Sequence, residues 1–413
     1  MTDSVLNCRF CGRPLCQTFV DLGMSPLCQT HITAAQLNQM EPFYPLHTRV
    51  CEHCWLVQLP QFVAPADIFS EYAYFSSYAD SWVEHARQYC ESVCQRFGID
   101  RDKRVIEIAS NDGYLLKHFV SKGVPVLGVE PAANVAEVAI RNGIPSVVKF
   151  FGRETARTLV ADFGRADLLI GNNVLAHVPD LNDFVAGLKL LLGGHGVITM
   201  EFPHLLELIR YNQFDTIYHE HFSYFSFLTV REVFRSHGLT LFDVERLATH
   251  GGSLRIYGCH AADPSRALSP RVGELLELEE SFGLKRLDTY TAFAEQVRET
   301  KRALLEFLIS VKRAGKRVVG YGAPGKGNTL LNYCGIGSDF IDFTVDRNPY
   351  KQGKFTPGSH IPILSPDQLA SSAADYILIL PWNLKEEIVD TLRRVPDLHA
   401  RFVVPIPKVE ILE

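Results

Sequence analysis

Arg104-Val105-Ile106-Glu107-Ile108-Ala109-Ser110-Asn111-Asp112-Gly113-Tyr114-Leu115-Leu116 reads as a buried strand, a polar turn and the start of a helix. The unit recurs downstream. Gly123-Val-Pro-Val-Leu-Gly-Val129 forms a second apolar run that ends on Glu130-Pro131, and Asp167-Leu-Leu-Ile-Gly leads into Asn172-Asn173 and on to His177. Apolar runs of this length alternating with amphipathic helical stretches predict a parallel α/β sheet. In such sheets ligands bind beyond the carboxyl ends of the strands. Glu107, Asn111, Gly113, Glu130 and Asn172 are therefore the candidate cofactor-binding residues. An acid ending the second strand suits a ribose diol, because a carboxylate accepts both hydroxyl protons.

Two cofactors fit such a strand end. A dinucleotide needs a glycine-rich turn so that its pyrophosphate can approach the backbone. The turn here, Ala-Ser-Asn-Asp-Gly, has one glycine and side chains that would crowd a phosphate. S-adenosylmethionine has no phosphate, and its amino and sulfonium groups suit the neighbouring Glu107, Asn111 and Asp112.

Upstream, the chain changes character. Six of its ten cysteines lie in the first 54 residues. Cys8-Arg-Phe-Cys11 and Cys51-Glu-His-Cys54 are paired CxxC turns, and two such turns make the closed four-thiolate site of a structural zinc. Gly12 suits a tight knuckle after the first pair. The spacer exceeds the usual ribbon spacing, so Cys16, Cys28, His31 and His53 compete as ligands. The N-terminus lacks a signal peptide's basic head and apolar core, so the cytoplasm is the expected location, and a reducing compartment favours metal over disulfides.

Length and composition bound the rest. At about 150 residues per domain, 413 residues make two or three domains. A 46% apolar and 21% charged chain is an ordinary globular one. Forty-one basic against 47 acidic side chains give −6, which argues against a general nucleic-acid binder. No apolar run is long enough for a membrane span. The texture predicts a small zinc-binding domain over 1–75, an α/β domain over 76–290 and a second Rossmann-like domain over 291–413. A charged helical segment, 269–315, is expected to link the last two.

The C-terminal body carries Val318-Val319-Gly320-Tyr321-Gly322-Ala323-Pro324-Gly325-Lys326-Gly327-Asn328, a GxGxxG match, with Asp346 ending the next strand. By itself this is an NAD fingerprint, and it defines the competing reading: a zinc-containing, NAD-dependent sugar-nucleotide oxidoreductase. Pro324, Gly325 and Gly327 equally shape a turn that could hold phosphate, with Lys326 adding charge at a helix N-terminus.

The segment Tyr218-His219-Glu220-His221-Phe222-Ser223-Tyr224 gathers proton-transfer groups. Its histidines are spaced i and i+2, so the helical HExxH zinc motif is absent. Here the chain resembles a family, the S-adenosylmethionine-dependent sugar C-methyltransferases of deoxysugar biosynthesis. The resemblance rests on the paired knuckles, EIASNDG (similar to the first motif of class I methyltransferases), NNVLAHVPD, YHEHFSYFS, HGGSLR and GYGAPGKGNTLLNY, in that order. It implies a zinc domain, a class I methyltransferase domain and a Rossmann-like C-terminal domain without NAD. The implied substrate is a nucleoside-diphosphate 4-keto-deoxysugar, most often dTDP-linked, methylated next to the ketone, usually at C-3. The implied base is His221, with Tyr218 and Glu220 orienting it or stabilising an enolate and His177 as rival base or oxyanion donor. Tyr72, Tyr74, Ser253, Arg255, Gly322, Lys326 and Asn328 are the implied substrate contacts. No nucleic acid, no membrane and a monomer or weak homo-oligomer complete the expectation.

Overall fold

The computed structural model describes residues 6–69, 76–78 and 80–412. Tyr72 and Tyr74 lie outside the described residues. The chain forms two compact units. Unit 1 comprises Met1–Cys16, Val50–Leu206 and Glu220–Lys285; unit 2 comprises Gln17–Arg49, Glu207–His219 and Arg286–Glu413.

Unit 1 is built on a seven-stranded sheet. Its strands are β1 (Val105–Ile108), β2 (Val126–Val129), β3 (Ser146–Val147), β4 (Ala166–Asn172), β5 (Leu192–Pro203), β6 (Leu239–Leu247) and β7 (Ser253–His260). Their order is β6-β7-β5-β4-β1-β2-β3. The ladders are parallel except on β7, which runs antiparallel to both β5 and β6. This is the class I methyltransferase arrangement expected from the sequence. The four residues of β1 and of β2 are all buried, as strands covered on both faces must be. The cysteine knuckles share a core with this sheet: Cys8, Cys51, Cys54 and Leu56 pack in one cluster with Ile108, Phe202, Phe225 and Phe227. Val57–Gln58, just past the second knuckle, pairs antiparallel with Ser223–Tyr224.

Unit 2 holds a six-stranded sheet of β8 (Val318–Tyr321), β9 (Thr344–Val345), β10 (Ile363–Leu364), β11 (Tyr376–Ile379), β12 (Arg401–Val404) and β13 (Glu410–Leu412). The order is β10-β9-β8-β11-β12-β13, with only β13 antiparallel. It is a second Rossmann-like sheet, again as expected.

The N-terminal stretch read as one zinc domain is divided between the units. The knuckles stay with unit 1, and Gln17–Arg49 belongs to unit 2. Strand Gln17–Ser25 lies against the long helix Leu287–Arg313, where Phe19 stacks on Phe293 with ring centroids 4.7 Å apart and meets Tyr290 edge-on at 6.1 Å. Each fully buried aromatic of this kind contributes roughly 1.5–3 kcal/mol. The charged segment 269–315 is two helices, Pro270–Phe282 and Leu287–Arg313, broken at Gly283, whose φ of 100° closes the first. Among the described residues no helix is long and apolar enough to cross a membrane.

Candidate active site

The turn after β1 is held in an unusual backbone shape. Ala109, Asn111 and Gly113 have φ of 57°, 50° and 80°. Gly113 is required twice over: its φ favours glycine, and a Cβ there would come within 2.8 Å of Ile144 Cγ1. Glu130, ending β2, fixes the turn from the side. Its Oε2 accepts from the Asn111 N–H at 3.0 Å and its Oε1 from the Ala132 N–H at 2.9 Å. From the other side the Ser76 N–H donates to Asn111 Oδ1 (2.8 Å), and Ser77 donates through its N–H and hydroxyl to Asp112 Oδ2.

Three acids thus crowd one strand edge. Both Glu107 oxygens are buried with no hydrogen-bond partner, as are Asp112 Oδ1 and Asn172 Oδ1. Burial, then the charges of Glu130, Asp112 and Glu201, push the Glu107 carboxyl well above the ordinary range. A pyrophosphate would meet these carboxylates head-on. A cationic amino acid with a ribose would satisfy them, so the residues present fit S-adenosylmethionine.

Beyond Asn172 the chain makes a short 3-10 turn, Leu175–His177. Its His177 ring lies edge-on to His221, with centroids 4.7 Å apart, and His221 lies edge-on to Tyr224 at 6.0 Å. The Phe222 N–H donates to the Ala176 carbonyl at 2.7 Å, which ties the two histidine segments together. Burial lowers the His177 pKa to about 4, opposed by a hydrogen bond with the Glu220 backbone. The other histidine of the motif is used differently. His219 bonds to the Pro45 carbonyl (3.3 Å) and meets Tyr44 edge-on, inside unit 2. Tyr218 belongs to unit 2 as well, whereas Glu220 and His221 belong to unit 1.

Cys8, Cys11, Cys51 and Cys54 place their sulfurs within 4.8 Å of one another. Cys8–Cys54 and Cys11–Cys51 are each 3.5 Å apart, near the ~3.8 Å edge of a tetrahedron with Zn–S bonds of about 2.3 Å. Cys16, Cys28, His31 and His53 are not in the group. The two knuckles repeat one another. The Gly12 N–H bonds to the Cys8 carbonyl and the Trp55 N–H to the Cys51 carbonyl, and both residues are left-handed, at φ 72° and 62°. Four sulfurs this close resist four charges. Hydrogen bonds from Cys51 and Cys54 hold Cys8 below the ordinary thiol range, while Cys51 and Cys8 drive Cys54 above it. A dication resolves that conflict, and a four-thiolate set leaves no open position, so this is a structural zinc site.

Arg255 is engaged internally. It bonds to Glu201 (2.6 Å) and Glu245 (3.1 Å), and its guanidinium lies over the Tyr89 ring. Its donors serve the sheet, so its implied substrate contact is not one this geometry supports. Ser253 donates to the Thr249 carbonyl. Sequence reasoning missed the groups beside them. His85 bonds to Glu201 at 2.9 Å and stacks on Trp82, which also meets His250. Glu201 lies near the carboxyl end of β5, opposite Asn172, and that strand-end position was the available signal.

In unit 2 the GxGxxG turn is filled from within. A Cβ at Gly325 would meet Cys28 Sγ at 2.9 Å, and one at Gly322 (φ 86°) would meet Pro381. Asp346, which would hold a dinucleotide ribose, accepts from the Ala323 N–H and pairs with Lys351 at 3.6 Å. Lys351 and His31 both reach the Ala323 carbonyl. These contacts oppose the NAD reading. Asn328 donates to the Cys28 carbonyl at 2.6 Å. Lys326 bonds to Asn383 at 2.7 Å and lies 4.6 Å from the Trp382 ring centroid; Trp382 in turn donates to the buried Asp215.

Three family models match in chain order: a zinc binding domain over residues 8–69, a methyltransferase domain over 82–244 and a C-methyltransferase C-terminal domain over 248–407. The C-methyltransferase NovU of Streptomyces niveus is 38% identical over 406 residues, which is 98% of this chain and 96% of that protein. The ubiquinone biosynthesis O-methyltransferase of Bartonella quintana is 28% identical over 116 residues, covering 26% of this chain and 47% of that one. Among solved structures, the PH0226 protein of Pyrococcus horikoshii OT3 matches 48% of this chain and 96% of its own at 14% identity and a TM-score of 0.37.

Proposed function

The chain belongs to the C-methyltransferase family, and from that premise we propose that it methylates the carbon next to the ketone of a nucleoside-diphosphate 4-keto-deoxysugar, at C-3 of a dTDP-linked sugar. The observation that carries the reading is the edge-on His177–His221 pair, His221 buried and His177 partly so, with His177 five residues beyond Asn172. A carbon beside a ketone becomes nucleophilic only after losing a proton, and imidazole is the side chain suited to take it near neutral pH.

S-adenosylmethionine supplies an electrophilic methyl group when bound. Glu130 accepts from the ribose hydroxyls on the lone pairs that its two backbone bonds leave free. Glu107 would hold the amino group, and Asn111 and Asn172 would bind the nucleoside. His221 takes the proton from the substrate carbon. His177, neutral because burial keeps its pKa near 4, is anchored to the Glu220 backbone and holds the His221 ring edge-on. The depressed pKa makes His177 a weak base, and His221, from its place in the YHEH motif, is the base of this proposal.

Incubation with S-adenosylmethionine and a dTDP-4-keto-deoxysugar should give a product one methyl heavier by mass spectrometry, with the new carbon bond at C-3 by NMR. A product methylated on oxygen, or no product from any 4-keto sugar nucleotide, would overturn the reading.

Two outcomes follow for the cofactor. Glu130→Ala is expected to weaken S-adenosylmethionine binding by roughly 1–3 kcal/mol, the scale of charge-assisted hydrogen bonds left unmade. Unchanged affinity by calorimetry removes Glu130 from the site. Glu107 makes the second. Burial and the neighbouring carboxylates raise its pKa, and an ammonium group beside it would lower that pKa. Binding should therefore release a proton, and affinity should fall as pH drops through the raised value. The heat of binding should differ between phosphate and Tris buffers, and the difference should vanish in Glu107→Gln. Equal heats in the wild type refute the ammonium contact.

A further inference from the structure

We infer that Arg9, set between two of the zinc-ligating cysteines, is a positioning residue for the His177–His221 pair. The inference rests on the reading of those histidines as catalytic.

The Arg9 backbone is fixed by the knuckle itself. The Gly12 N–H bonds to the Cys8 carbonyl at 2.9 Å, and the Cys8 N–H to the Arg13 carbonyl at 2.8 Å. The Arg9 N–H donates to Gln58 Oε1 at 2.9 Å, and the amide of Gln58 reaches Cys8 Sγ at 3.1 Å. Asn182 Nδ2 donates to the carbonyls of both Arg9 and Phe10. The base of this side chain therefore goes where the knuckle goes.

Its guanidinium leaves the knuckle and meets three segments of unit 1. Nη1 donates to the Pro179 carbonyl at 3.1 Å, two residues past His177. Nη2 donates to the Leu59 carbonyl. The guanidinium carbon lies 5.4 Å from the ring centroid of Phe222, the residue next to His221. These segments are also bonded to one another: the Leu59 N–H to the Phe222 carbonyl at 3.0 Å, and the Phe222 N–H to the Ala176 carbonyl at 2.7 Å. Arg9 has no carboxylate partner among the described residues, and it is half-buried. A planar fork spanning two main-chain carbonyls and an aromatic face sets direction as well as distance, which an ammonium group does not. Reacting groups displaced by about 1 Å can lose on the order of 100-fold in rate. Arg9 thus transmits the geometry of the metal knuckle to the two histidines.

The test uses the full-length, zinc-loaded protein. In Arg9→Met, zinc should remain at one per chain and S-adenosylmethionine affinity should stay within about twofold. The ring Cε1–Hε1 NMR signals of His177 and His221, assigned by their loss in His177→Asn and His221→Asn, should shift while the His31 signal stays. Turnover should fall about 10–100-fold with little change in KM for the sugar nucleotide. Arg9→Lys, which keeps the charge and most of the stem, serves if Arg9→Met loses zinc, and should show the same shifts with a smaller loss. Unmoved His177 and His221 signals overturn the inference whatever the rate does. Moved signals with normal turnover also overturn it when His221→Asn is inactive. If His221→Asn is active too, the failure belongs to the reading of His221 as base.

Discussion

Replacing His221 with asparagine is expected to lower turnover by 10²–10⁴-fold, the usual cost of losing a general base, while S-adenosylmethionine still binds. The substitution removes the proton acceptor but keeps a small polar side chain beside His177 and Tyr224. Exchange of the substrate's C-3 proton with deuterated water should slow in parallel, because the lost step precedes methyl transfer. A histidine that only supported the fold would give another pattern: a lower melting temperature with near-normal turnover in the folded fraction. If His221→Asn stays active and His177→Asn does not, the base is His177.

Removing a zinc thiolate, as in Cys54→Ala, is expected to abolish zinc binding and to unfold or precipitate unit 1. Structural zinc binds with an apparent 10–16 kcal/mol in small domains, and a whole domain is stable by only about 5–15 kcal/mol. Because Cys8, Cys51 and Cys54 pack in the same core as the sheet, the damage should spread beyond the knuckles. Metal analysis and thermal melts check this. A protein without zinc that melts at the wild-type temperature would show that the metal contributes nothing.

Much of unit 1 was legible because its signals are local. Strand β1, its polar turn and Glu130 sit within thirty residues, and each obeys the strand-then-ligand logic of an open sheet. The four thiolates were legible because each CxxC is a two-ligand turn by itself. What escaped the reading depends on distant partners. Gln17–Ser25 buries Phe19 against Phe293, and no local pattern announces a partner so far along the chain. Arg255 was given as a substrate contact by the resemblance alone, and its partner Glu201, opposite it in the register, lies too far back in the chain for a local pattern to announce it. The GxGxxG of unit 2 looked open until Cys28 and Lys351 were found occupying its approaches. His219 and His221 differ only in what surrounds them. Trp55, left-handed like Gly12, shows that the knuckle imposes its backbone on whichever residue stands there.

The interleaving of the two units along the chain governs how the protein can be made. On a ribosome, Gln17–Arg49 emerges long before Leu287–Arg313, so its apolar face must wait for most of the polypeptide to be synthesised. Unit 1 is likewise incomplete until β6 and β7 have left the exit tunnel, since β7 lies between β5 and β6 in the sheet. Vectorial, domain-by-domain folding is therefore closed to this architecture. Contacts of such high sequence separation fold slowly and leave hydrophobic surface exposed in the meantime, which makes the nascent chain a natural client for chaperones.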